Sequence, residues 1–261
     1  MGIRPMCTEL FGTIANQGTL ITVDTTTGAG TIIGNLGFLF APSLAIDPTT
    51  GIMYAGQGGN NSNLYTVNPN TGAATLVGNT GLGLASIGGM DFRSDGTLFA
   101  AVNLANSFGS GADHLVIIDK NTASPTIVGP FGTCTDVTIP STGGGFCTIE
   151  GMEAIAFNET GTLYGAVNFR TSAGMPGLYT IDTNNGTATF LTSIENPDGT
   201  VPGAGVVSLQ FCNGVLFGGT ATSLVDGGRL ITIDPATGFW SYVGTESATG
   251  FQSLGGLAAF N

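Results

Sequence analysis

The chain has 261 residues, with 5 Lys+Arg against 17 Asp+Glu, a formal net charge of −12, 44 Gly, 8% charged and 42% hydrophobic residues. That acidic balance argues against nucleic acid and anionic membrane surfaces as partners, since neither is attracted to a negative surface. The hydrophobic content excludes a disordered chain, and no apolar run reaches the roughly 18–20 residues of a membrane-spanning helix.

In chain order, Met1–Pro5 comes first and lacks the apolar core of a secretion signal, so a mature or trimmed chain is expected. Glu9–Ala15 reads as a strand. Next comes Leu20–Gly34 (LITVDTTTGAGTIIG), which recurs as Leu64–Gly78 (LYTVNPNTGAATLVG), Leu115–Gly129 (LVIIDKNTASPTIVG), Leu178–Thr192 (LYTIDTNNGTATFLT) and Leu230–Gly244 (LITIDPATGFWSYVG). Each copy predicts two short strands and a tight turn, because β-branched and aromatic residues suit a pleated, packed surface. The fifth position is Asp24, Asn68, Asp119, Asp182 or Asp234, a short acceptor able to bond a backbone N–H two residues on. Gly28, Gly72, Gly186 and Gly238 then supply the positive φ such turns need. These five positions also resemble a metal or acid/base array, but they track the repeat and not a cleft, which favours the turn.

A second repeated pair lies between the copies. One partner is a Gly-rich apolar strand: Ser43–Pro48, Ile87–Phe92, Met152–Phe157, Val206–Phe211 and Leu254–Phe260. The other follows a tight turn and is Met53–Ala55, Leu98–Ala100, Leu163–Gly165, Leu216–Gly218 and, at the chain start, Leu10–Gly12. Four strands per unit, here called A to D, repeated every 44 to 63 residues, predict an all-β, five-bladed β-propeller with four antiparallel strands per blade. Strand A is innermost, where small residues such as Gly88, Gly89, Ala154, Gly255 and Gly256 let five strands crowd round an axis. The C-terminal strand A is expected to pair with the N-terminal strand B and so close the ring, which removes sheet edges. The chain is thus read as one domain, 1–261, with blades near 43–79, 87–130, 151–194, 206–245, and 253–261 plus 9–35.

Four cysteines allow three connectivities. Cys134 and Cys147 bracket the longest insertion, and Cys7 and Cys212 remain as a pair able to staple the ring closure. Neither pair has Cys-x-x-Cys spacing, and two disulfides imply an oxidising compartment, hence a secreted or cell-surface protein.

The A–B and C–D turns are short and alike, whereas the B–C and D–A connections are longer and vary, so the second set marks the expected binding face. Asn16, Gln57, Asn103 and Asn168 end B strands there and either hydrogen-bond a glycan or peptide or hold the loops. Glu150 and Glu153 sit at the start of one central strand, with Arg170 and Arg229 in nearby loops. Glu153 in a narrow channel could bind a cation or carry a raised pKa, or else pair with Arg170 or stand as a solvated channel residue. No other cofactor is expected. His114 is the sole histidine, which excludes a His-based metal centre, and no G-x-S-x-G elbow accompanies it. A glycosidase or lyase would have to use Glu150 and Glu153, with Asp136 nearby, all from one blade.

The pairing of LYTVNPNTGAATLVG with GGMDFRSDGTLFAA resembles bacterial extracellular β-propeller repeat proteins of the NHL and YncE-like pattern. The resemblance implies an interaction module and is silent on the ligand. The expected function is a secreted, non-catalytic propeller that binds a glycan, peptide or surface component through its loop-rich face. The alternatives are a structural subunit that assembles with copies of itself into a filament or layer, and a glycosidase or lyase.

Overall fold

The computed structural model describes residues 9–59, 61–83, 85–104, 113–132, 149, 151–167, 177–203, 205–221, 227–245 and 249–260. Among the described residues twenty strands form five separate four-stranded sheets. Blade 1 is β4 (Ser43–Ile46), β5 (Met53–Gly56), β6 (Asn63–Val67) and β7 (Ala74–Asn79), and blade 2 is β8 (Ser86–Phe92), β9 (Leu98–Asn103), β10 (Asp113–Ile118) and β11 (Pro125–Pro130). Blade 3 is β12 (Met152–Phe157), β13 (Leu163–Val167), β14 (Gly177–Ile181) and β15 (Ala188–Thr192), and blade 4 is β16 (Val206–Cys212), β17 (Val215–Thr220), β18 (Leu230–Ile233) and β19 (Trp240–Tyr242). Blade 5 joins the two ends of the chain in the order β20 (Leu257–Ala258), β1 (Glu9–Ile14), β2 (Thr19–Asp24), β3 (Gly30–Asn35). All strand pairs are antiparallel, so the molecule is a five-bladed β-propeller. Among the described residues no helix is long and apolar enough to cross a membrane.

Ring closure occurs where the repeat phase requires it. Phe11 faces Ala258 and Gly12 faces Leu257, and the ladder extends through Thr13 N–H to the Gly256 carbonyl and Gly255 N–H to the Thr13 carbonyl. The C–D turns also form as expected. Asp24, Asn68, Asp119, Asp182 and Asp234 each accept the backbone N–H two residues on, at 2.8–2.9 Å. Gly72 takes φ 76 in its turn, and in blade 2, which lacks the glycine, Ala123 takes φ 62.

Five buried apolar clusters lie one between each pair of neighbouring blades. Strand alternation divides each blade between two of them. In β9, Leu98, Ala100 and Val102 join the cluster shared with blade 1, while Phe99 and Ala101 join the one shared with blade 3. Close packing at the axis needs the small residues. A Cβ on Gly89 would come within 2.9 Å of the Ala154 Cα, and one on Gly256 within 2.7 Å of the Leu44 amide. At the rim, the glycine ending strand D touches the C–D turn of the next blade: Gly34 meets Thr71, Gly78 meets Thr122 and Gly129 meets Asn185. Each C–D ladder of blades 1, 2, 3 and 5 also carries a register shift. Bulge and docked turn together blunt an otherwise open edge strand.

Two Gly-rich strands are shorter than the sequence expectation: the last, read as Leu254–Phe260, is a strand only over Leu257–Ala258. The first Gly-rich strand stops at Ile46 instead of Pro48. Pro48 has no N–H to give the ladder, and Asp47 opens a turn by accepting the Thr49 N–H at 2.9 Å. Ala45 faces Tyr54 just as Asp91 faces Phe99, so Asp91 corresponds to Ala45 and lies within its strand.

Candidate functional site

Glu153 falls at a register shift in β12, between Met152 and Ala154, so the bulge aims it at the axis. It lines a central channel of about 10 Å³ with Ser43, Met90, Ser208, Leu209 and Leu257, every blade contributing a wall. That is room for about one water and far too little for a sugar ring. Among the described lining residues Glu153 is the only acidic one. Among the described residues no group of three or more His, Cys, Asp and Glu is placed to hold a metal ion.

The loop-rich face carries a larger hollow of about 320 Å³ between blades 3 and 4. Its walls are apolar (Val167, Ile194, Val201, Pro202, Val206), with Ser193 and Glu195 as polar groups. The opposite face, where the A–B turns gather, holds an axial bowl of about 230 Å³. Phe92, Phe157, Phe211 and Phe260 come from blades 2, 3, 4 and 5, and Ile46 from blade 1. Asp91 sits in its wall, accepting the Phe92 N–H at 2.8 Å and the Phe157 N–H of the next blade at 2.7 Å. Burial pushes its carboxyl up to about 7, against the pull of those two bonds. Sequence reading missed Asp91 because its MDF looks like the IDP of Asp47; only the strand register separates them. At the rim, burial acts to raise the Asp47 carboxyl, but the Lys120 ammonium at 2.6 Å and bonds from Thr49 and Thr50 outweigh it and hold the group down to about 2.

Five of the expected binding residues, Glu153 included, fall within the described residues, and they lie in different blades: Glu153 at the axis and the others in or beside the B–C connections. Gln57 is spent on its own loop: its Oε1 accepts from Asn63 Nδ2 (2.8 Å) and the Tyr65 hydroxyl (3.1 Å), and its Nε2 donates to the Leu39 carbonyl (3.2 Å). Asn103 ends β9, half-buried, opposite Ser86 and Asp113. Asn16 lies exposed on the 3-10 turn Ala15–Gln17. Arg229 lies in the connection just before β18, as expected, and is buried, its guanidinium 3.2 Å from the centroid of the Tyr242 ring. The stacked ring and the Thr220 hydroxyl that accepts its backbone N–H hold it within blade 4. His114 is half-buried in β10, opposite Val102 and Pro130. Cys212 is buried and is no free thiol. Glu150, Asn168, Arg170, Asp136, Cys7, Cys134 and Cys147 lie outside the described residues.

The structure also brings forward three loop residues that the sequence reading did not single out, Phe38, Leu39 and Phe40. Phe38 stacks on Tyr65 with centroids 4.0 Å apart, and the next two residues, Leu39 and Phe40, stand exposed between blades 5 and 1. Their signal was local: an apolar run, GFLF, in a D–A loop.

The chain matches no protein-family model and no curated protein. Solved structures share its fold. A chain from a structure described as a nidogen/laminin complex aligns over 97% of this chain and 82% of its own, at 15% identity and a TM-score of 0.54. A Xanthomonas campestris protein described as a gluconolactonase aligns over 91% of this chain and 76% of its own, at 12% identity and a TM-score of 0.50. At such identities the likeness is one of architecture, and it spans both a protein solved in a protein complex and an enzyme.

Proposed function

We propose that the protein is a secreted, non-catalytic binding propeller that takes a glycan, peptide or surface component on its loop-rich face. The observation that carries this reading is the apolar hollow of about 320 Å³ between blades 3 and 4, rimmed by the variable D–A loop that supplies Glu195, Val201 and Pro202. Apolar walls with a few polar groups are what binding clefts share. The channel around Glu153, by contrast, has no room for a substrate ring, which weighs against a glycosidase or lyase. Secretion is supported by Cys212 not being a free thiol. We assign Cys7 as its partner and pair Cys134 with Cys147, which non-reducing peptide mapping would check.

The test is a screen of the purified protein against peptide and glycan arrays, with Val201→Asp as the control. A hit weakened at least tenfold by Val201→Asp, without turnover of the bound compound, supports the reading. Turnover, or binding indifferent to any change on the loop face, overturns it. Assembly with copies of itself is the second reading. It is favoured by Ile32, Leu76 and Ile127, which stand exposed at one register position on the outer strands of three blades. Sedimentation at rising concentration decides it: a single monomeric species excludes it.

A further inference from the structure

We propose that the loop-face corner between blades 5 and 1 is a binding site for uncharged carbohydrate, with Phe40 as the stacking platform. The inference rests on the loop face being the working face and names a ligand class and a place on it, separate from the hollow between blades 3 and 4.

The starting point is backbone strain. Phe40 takes φ 58, a conformation that a bulky side chain rarely adopts. Such outliers persist only where surrounding structure over-determines them, and they cluster at ligand-binding positions. Here the surroundings do so. The Leu36 N–H donates to the Gly18 carbonyl (2.8 Å), the Gly37 N–H to Asn35 Oδ1 (2.6 Å) and the Ala41 N–H to the Ala15 carbonyl (3.1 Å). The Phe40 carbonyl accepts the Gly58 N–H (2.7 Å), and the Ala41 carbonyl accepts the Thr13 hydroxyl (2.6 Å). Phe38 is pinned on Tyr65. This rigid loop nevertheless leaves Leu39 53% and Phe40 47% exposed. The Phe40 ring lies against Gly59, where even a Cβ would come within 3.0 Å of it. One side of Phe40 is therefore backed by glycine, while the residue as a whole stays about half exposed.

The surroundings define the ligand. Asn16 and Gln17 are exposed on the turn whose Ala15 and Gly18 carbonyls anchor the loop, and Asn61 is exposed beyond Gly59, while Gln57 on the other flank is taken up in holding Leu39. Neither amide of that turn makes a hydrogen bond to another described residue. Side-chain amides offer both donors and acceptors, which suits hydroxyl groups, and an aromatic face suits the C–H face of a sugar ring. Charge is missing from the sequence here. Residues 10–23 carry none, and between Thr25 and Met90 the sole charged residue is Asp47, on the opposite face. A polyanion or polycation would find no ionic partner in these segments of the corner, whereas a neutral polysaccharide needs none.

The experiment is affinity electrophoresis in native gels containing xyloglucan, galactomannan, hydroxyethyl cellulose or dextran, with alginate as the charged comparison. Retardation by at least one neutral polymer and none by alginate is expected. Phe40→Gly deletes the platform while relieving the φ strain, so the neutral-polymer affinity should fall at least tenfold while the melting temperature holds or rises. Leu39→Ser with Asn16→Ala, both exposed, should weaken binding without touching the loop's anchors. Retardation by no neutral polymer, or retardation undiminished in both variants, overturns the proposal. Neutral-polymer binding lost in Val201→Asp but kept in Phe40→Gly leaves the loop face as the working surface and sinks this corner alone.

Discussion

Glycine and aspartate at single positions carry much of this architecture. Gly129 and Gly88 make a useful contrast. A Cβ on Gly129 would overlap the Asn185 carbonyl oxygen of the next blade, backbone against backbone, whereas the nearest atoms to one on Gly88 are 3.6 Å away. Gly129→Ala should therefore cost about 1–3 kcal/mol, as overpacking does, and Gly88→Ala should be close to neutral. Urea midpoints at unchanged slope would read both. Asp91 gives a test by pH. Its native carboxyl stands at about 7, raised by burial, against about 3.9 in the unfolded chain. Between those values the folded state holds a proton that the unfolded state has released, so this group's contribution is full below about pH 4 and is lost as pH rises to about 7. The difference in unfolding free energy between wild type and Asp91→Asn should fall across that window by up to about 4 kcal/mol. A difference flat with pH would mean that the carboxylate is charged throughout.

Between elements, the junctions are made by side chains that cross from one blade to the next. Lys120 in the C–D turn of blade 2 reaches Asp47 in the A–B turn of blade 1, and the Asp47 side chain is wholly buried. Lys120→Met would strand that carboxylate with only its threonine bonds, at a cost of about 2–3 kcal/mol. The acid limb identifies the cause. The depressed Asp47 pKa contributes stability above about pH 4 that is lost toward pH 2, and in the variant the loss should begin at higher pH. Little of this was legible beforehand. The turn aspartates could be read because they recur with the repeat and act within four residues of chain. The Lys120–Asp47 pair, the Asp91 bridge and the Arg229–Tyr242 stack could not, because each depends on how two strands or blades sit side by side. The same holds for the candidate site. Leu39 and Phe40 lie in an unrepeated loop, and their meaning comes from a backbone angle and from anchors supplied by Ala15, Gly18 and Gly58.

For the whole ring, β20 and β1 are held together by strand pairing, with the A–B turn of blade 5 cut between them. In every other blade that turn is continuous, and in blade 2 it spans only residues 93–97 between β8 and β9. Ala259 holds the register position of Phe92, and Leu10 that of Leu98, because Phe11 faces Ala258 as Phe99 faces Asp91. A permutant that joins Ala259 to Leu10 through a copy of residues 93–97 should therefore fold to the same ring. New ends can be opened in the exposed turn 196–200, where the Asn196 N–H and the Thr200 carbonyl close a local loop. Since Trp240 also bonds to Asn196 and Thr200, the cut would cost those two contacts and nothing in the axial clusters. Because the join also drops Cys7, assigned above as the partner of Cys212, the permutant carries Cys212→Ser and is compared with a parent carrying Cys7→Ser and Cys212→Ser. Against that parent its melting temperature should lie within a few degrees, with its far-ultraviolet spectrum unchanged. Deleting 254–260 instead removes strand A of blade 5 and exposes the cluster that packs Leu254, Leu257 and Ala259 against Leu10, Ile21 and Phe217. That chain should lose cooperative unfolding altogether. If it kept a sharp transition near the parent's, the five sheets would not be acting as one closed unit.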